Sequence, residues 1–236
     1  MHCVFLGKGD RIIVYLHGWG ADGSIFNSVA SRLNGYINVM PDFNGFGKSA
    51  MPPSSGWSVA DYAEALHMLF VQYNIQRATI VAHSFGARVG IVFAATYANF
   101  CDKMVLFAPA ALRKRSISRR CKESWYKATK LLRKIVGMSP KINVGSEDYR
   151  RCPEGLRATF VKVVKQDLSF YARRVTCPVL VVNGREDQAT PPSHARKLCR
   201  LLRLGQLQLI DGDHFVLFRM PNTFARIVDC FVKESW

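Results

Sequence analysis

The chain has 236 residues, 49% of them hydrophobic and 21% charged. That suits one folded domain with a full core, or a core plus an insertion, and excludes a disordered chain. Lys and Arg number 33 against 17 Asp and Glu, a formal net charge of +16, which raises nucleic acid, an anionic membrane or an acidic ligand as partners without choosing among them. No run reaches the ~18 uninterrupted apolar residues of a membrane span, and the most apolar stretch is residues 89–98. The opening MHCVFLGKGDR has too short an apolar run for a signal-peptide core and reads as mature sequence. Seven Cys without a CxxC spacing point to a reduced, cytoplasmic setting and to no zinc site.

Residues 4–6 suggest a short edge strand. Residues 12–16 (IIVYL) are a continuous apolar run of strand length, as expected for a strand buried on both faces, and residues 36–40, 78–82, 104–107 and 179–182 read the same way. Residues 207–210 are a weaker candidate. Ser58 to Asp61 resembles a capping box, followed at helical spacing by Tyr62, Ala65, Leu66, Leu69, Phe70 and Tyr73. Thr190-Pro191-Pro192 should open another helix, with the hydroxyl at its cap and Ala195, Leu198, Leu201 and Leu202 as its buried stripe. The last helix should start at Pro221. This alternation predicts an α/β fold, a largely parallel sheet covered on both faces.

About seventy residues between the strands at 104–107 and 179–182 lack a strand pattern. Ala128, Leu131, Leu132, Ile135 and Val136 mark one helix, and Leu156, Phe160, Val163, Val164 and Leu168 a second. The reading is therefore a core of residues 1–109 and 176–236 and a helical insertion at 110–175. Residues 111–175 hold 18 Lys and Arg against 5 Asp and Glu, net +13, so nearly all the excess charge sits there.

The chemistry centres on Ala82-His83-Ser84-Phe85-Gly86, where a buried strand runs into helix-like sequence. A sharp strand-to-helix turn exposes its middle side chain and needs small residues two before and two after; here these are Ala82 and Gly86. Ser84 is the candidate nucleophile, the alternative being a plain helix-capping serine. A hydroxyl needs a base, and His214 in Asp211-Gly-Asp-His-Phe215 follows the last strand candidate. Asp187, in the loop after residues 179–182, is the candidate acid to orient that base, with Glu186 as the fallback and a helix-terminal carboxylate as the bland alternative. His67 and His194 read as surface or packing residues, and His83 as a neighbour of the serine pointing away from it. The oxyanion donors should be the backbone N–H groups of Phe85 and of Trp19, the latter in His17-Gly18-Trp19-Gly20.

HGWG (17–20), PDFNGFGKS (41–49), AHSFGAR (82–88), GREDQATPP (184–192) and GDHF (212–215) occur in the order and spacing of the α/β-hydrolase superfamily, which the chain resembles over almost its whole length. The resemblance implies the α/β-hydrolase fold, a mostly parallel central sheet with helices on both faces, with the basic insertion as a helical cap. Within the superfamily the chain resembles small helical-capped carboxylesterases, meta-cleavage-product hydrolases and pimeloyl-carrier-protein methyl ester esterases. It departs in having Ala82 where glycine is usual and in a reduced N-terminal hairpin. Ser84 argues against haloalkane dehalogenases and epoxide hydrolases, which use an aspartate there.

The implied activity is hydrolysis of a carboxylic ester or thioester through an acyl-enzyme, with no cofactor and no metal. Carbon–carbon bond hydrolysis of a meta-cleavage-product acid is the alternative, and a receptor-like binding protein a third reading. Arg113 and Arg115 at the insertion's entry could hold an anionic or acyl-carrier-linked substrate, and Trp125 and Tyr126 could line an acyl pocket; a solvated charged face is the bland alternative. An anionic surface is a further possible partner. Nucleic acid is not expected, since no recognised module is present.

Overall fold

The computed structural model describes residues 1–112 and 152–236. Seven strands are β1 (Cys3–Leu6), β2 (Gly9–Leu16), β3 (Gly35–Pro41), β4 (Ala78–His83), β5 (Cys101–Phe107), β6 (Val179–Gly184) and β7 (Gly205–Ile210). They form one sheet in the order β1-β3-β2-β4-β5-β6-β7. β1 is antiparallel to β3, and all other neighbours are parallel. Every expected strand is present, the weak candidate at 207–210 included.

The continuous apolar runs follow from burial of both sheet faces. Val14, Leu16, Ile80, Ala82, Met104, Leu106, Val179 and Val181 share one core with α2 (Val59–Gln72), α3 (Phe85–Thr96) and residues of α6 (Pro192–Leu201). Ile13, Tyr15, Val81, Val105, Phe107, Leu180 and Val182 face the other way, against α1 (Asn27–Ala30), α7 (Val216–Arg219) and α8 (Pro221–Lys233). The capping box of α2 forms: Ser58 accepts from the Asp61 amide, while Asp61 accepts from the Ser58 amide at 2.6 Å. Such a cap contributes about 1 kcal/mol.

Of the two helices expected in the insertion, the one carrying Ala128 to Val136 lies outside the described residues, as do most of the Lys and Arg of residues 111–175. The second is α4 (Arg157–Lys165), followed by the short α5 (Ser169–Ala172). Leu156, Phe160, Val163 and Leu168 join the first core, whereas Val164 is 43% exposed. The helix stops before Leu168, and the chain turns there to continue the burial.

The parallel strands end together at one edge, through pairs such as Leu16 with Ala82, His83 with Phe107 and Gly184 with Ile210. Loops at that edge carry HGWG, Ser84, Asp187 and His214, the place where open α/β sheets bind ligands. Among the described residues no helix is long and apolar enough to cross a membrane.

Candidate active site

β4 delivers Ser84 into an uncommon backbone state, φ 50° and ψ −105°, immediately before α3. The reason lies in the packing behind the turn. A Cβ on Gly86 would fall 2.1 Å from the Leu16 carbonyl oxygen and 2.7 Å from that of His17, so α3 can approach β2 only with glycine there. Ala82 is a fully buried residue of β4 without positive φ, which is why alanine serves where glycine is usual. The Ser84 side chain makes no capping bond to α3, so the helix-capping alternative does not describe it.

A non-glycine residue with φ above zero stores roughly 1–3 kcal/mol. Glycine ordinarily destabilises relative to alanine by about 0.5–1 kcal/mol. At position 84 the strain should cancel or reverse that ranking. Urea titration of Ser84→Gly is expected to show stability at least equal to that of Ser84→Ala; a glycine variant about 1 kcal/mol weaker would contradict the strain.

Asp187 and His214 are 27 positions apart and meet because β6 and β7 pair. Gly184 packs so closely on the following loop that a Cβ there would meet the Gly212 carbonyl oxygen at 2.2 Å. The amides of Arg185 and Glu186 donate to the carbonyls of Ile210 and Gly212 at 2.8 and 3.0 Å. So joined, the loops place His214 Nδ1 2.8 Å from Asp187 Oδ2. A carboxylate only accepts, so Nδ1 carries the proton and Nε2 is left as the basic nitrogen.

Thr190 completes the acid's surroundings. Its amide donates to Asp187 Oδ1 at 2.8 Å and its hydroxyl to Oδ2 at 2.7 Å. The expected helix cap at Thr190 is therefore not made: Pro191 is the N-cap of α6 and carries no side-chain bond, because the hydroxyl is committed to the acid. Asn183 braces the same turn by donating to the Thr190 carbonyl at 3.0 Å. Burial alone would raise the Asp187 carboxyl, but the bonds from His214 and Thr190 outweigh it and hold the group below the ordinary carboxylate value. Asp187 thus stays ionised. Glu186, the fallback, is exposed.

The HGWG turn lies directly against the serine. A Cβ on Gly18 would stand 3.6 Å from Ser84 Cβ and 2.9 Å from His83 Nδ1. His17 fixes this turn from inside: Nδ1 donates to the Gly18 carbonyl at 2.8 Å, and Nε2 accepts from the Phe43 amide at 2.9 Å. The bond accepted at Nε2 needs the neutral ring, and burial lowers its pKa accordingly. The Trp19 ring packs edge-on to Phe46, Phe85 and Phe160 with centroids 5.0–5.3 Å apart, joining the turn to α3 and α4. Phe85 opens α3, where first-turn amides lack intrahelical acceptors.

Ser84, Asp187, His214, Trp19 and Phe85 are thus carried by loops of one sheet edge. Arg113, Arg115, Trp125 and Tyr126 lie outside the described residues. Three contributors escaped the sequence reading: His17, Thr190 and His83. The His83 ring is enclosed, with Nε2 3.1 Å from the His214 carbonyl. Among the described residues no group of three His, Cys, Asp or Glu could hold a metal ion.

Burial and the neighbouring His214 push His83 down to about 3. An unfolded histidine takes its proton near 6.5, so below that pH the unfolded chain binds a proton that the folded chain refuses. The contribution is complete above about pH 6.5 and is lost as pH falls toward 3, at about 1.4 kcal/mol per unit; His17 acts in the same direction. Stability is therefore expected to fall between pH 7 and 5. Replacing His83 by Phe should lower the proton uptake on unfolding at pH 5 by about one. An unchanged uptake, measured from the pH dependence of urea unfolding, would contradict this.

A family model described as alpha/beta hydrolase fold matches residues 11–126. An uncharacterised protein of Mycobacterium tuberculosis is 24% identical over 264 aligned positions, covering 97% of this chain and 77% of that protein. An esterase (EaEST) from Exiguobacterium antarcticum superposes with a TM-score of 0.78 at 19% identity, over 99% of this chain and 95% of its own. The enol-lactonase from Burkholderia xenovorans LB400 gives 0.78 at 21%, over 99% and 96%. With the sheet order and the strand-to-helix turn at Ser84, these matches show that the chain has the α/β-hydrolase fold.

Proposed function

We propose that the chain is a serine hydrolase that cleaves a carboxylic ester or thioester through an acyl-enzyme. The observation carrying this reading is the pairing of a serine held at φ 50° with a histidine whose Nδ1 is bound to a buried carboxylate at 2.8 Å on the same sheet edge. In this reading His214 Nε2 takes the Ser84 proton as Oγ attacks the carbonyl carbon. Asp187, kept ionised by Thr190, stabilises the resulting imidazolium. The amides of Phe85 and Trp19 receive the oxyanion; such a donor is worth roughly 3–4 kcal/mol in the transition state. Collapse expels the alcohol or thiol with the proton from His214. A water, deprotonated by the same nitrogen, then releases the acid.

The esterase and the enol-lactonase among the structural matches are named for chemistry of this kind. We take residues 110–175 as a cap over the site. Their net charge of +13 favours an anionic or carrier-linked substrate, with Arg113 and Arg115 as its contacts and Trp125 and Tyr126 beside the acyl group. Rapid mixing with p-nitrophenyl acetate tests the acyl-enzyme. A burst of p-nitrophenol close to one per enzyme, followed by slower turnover, is expected. Release no faster than that of the Ser84→Ala protein would contradict the reading.

A further inference from the structure

We infer that His83 is a positioning residue for this chemistry: it holds the main chain of the general base, as Asp187 holds its ring. The inference rests on the serine-hydrolase reading. His83 ends β4 one residue before Ser84, and its side chain is 3% exposed. Its Nε2 lies 3.1 Å from the His214 carbonyl oxygen. A carbonyl only accepts, so Nε2 carries the proton.

The loop bearing His214 needs such a tether. Asp211, Asp213 and Phe215 are all exposed, and Gly212 sits at φ 127°. The His83 ring fills the space beneath, with centroids 4.9 Å from His214, 5.9 Å from Phe215 and 5.0 Å from Phe218. Its other nitrogen, Nδ1, faces Gly18, where a Cβ would come within 2.9 Å. One ring therefore lies between the oxyanion turn and the base loop, on the residue joined to the nucleophile. Moving it would shift both parts relative to Ser84, and a misplacement of about 1 Å can cost 10²-fold in rate. Burial keeps the ring uncharged through neutral pH, so it adds no cation to oppose the imidazolium forming at His214.

The test compares His83→Phe, which keeps the ring and removes the donor, with His83→Gln, whose amide nitrogen reaches a similar place. The readouts are kcat and KM on p-nitrophenyl acetate and the rate of fluorophosphonate labelling of Ser84. The Phe variant is expected to lose roughly 10–100-fold in kcat and in labelling rate with KM within twofold, and the Gln variant to recover most of it. Phe and Gln variants that match wild type, or that lose activity equally while both fold, would overturn the inference alone. Wild type that neither labels nor turns over would overturn the serine reading and this inference with it. Should the Phe variant not fold, nitrogen NMR of the wild-type histidines decides. A neutral His83 with its proton on Nε2 at pH 5 supports the assignment, and a ring protonated at that pH or carrying its proton on Nδ1 overturns it.

Discussion

Ser84→Ala is expected to lower kcat on a short ester by at least ~10⁴-fold, the scale of loss when a triad nucleophile is removed. The loss should come without unfolding, because the hydroxyl makes no capping bond to α3 and the backbone strain is the same with alanine. The three groups act as a unit, so adding His214→Ala to Ser84→Ala should cost little more. Steady-state kinetics of the two proteins, with thermal melts as control, measure this. A double variant weaker than the single by a further 10³-fold would mean that the residues act independently.

Asp187→Asn should be nearly as severe, about 10⁴-fold in kcat. Both carboxylate oxygens are engaged: Oδ1 accepts from the Thr190 amide, and Oδ2 from the Thr190 hydroxyl and His214 Nδ1. An asparagine there must keep its oxygen toward Thr190 N or toward His214. With the oxygen toward Thr190 N, its NH2 faces the ring, Nδ1 must accept, and the proton moves to Nε2, where it blocks attack by Ser84. Glu186→Gln, at an exposed position, should change kcat less than threefold. The reverse ranking would exchange the two acids.

The sheet was legible because its strands are buried on both faces, so apolar runs alone locate them. Their first residues were not. Asp102 and Lys103 belong to β5 yet are charged, and they cut Cys101 off from the apolar run. Lys103 is buried because its amine donates to the carbonyls of Phe231 and Val232 at the end of α8, 3.1 and 2.9 Å away, a helix-end partnership joining residues about 130 positions apart. The meeting of Asp187 and His214 was foreshadowed because each follows a strand candidate, and Ser84 stands out as a candidate for the same reason. Thr190 was misread for a local reason: a hydroxyl before two prolines is a good helix cap, and only the paired loops reveal that Asp187 competes for it. His83 was invisible in its role, since nothing near it in sequence shows that its partner is the His214 carbonyl.

The central claim is that one serine, held strained at the end of β4, becomes acylated by substrate. The most direct measurement is peptide mapping by mass spectrometry after treatment with an alkyl fluorophosphonate. One phosphonyl adduct per chain is expected, on the peptide containing Ser84, with no adduct on Asp187→Asn protein within the time that saturates wild type. An adduct on any other residue, or equal labelling of Ser84→Ala, would contradict the account.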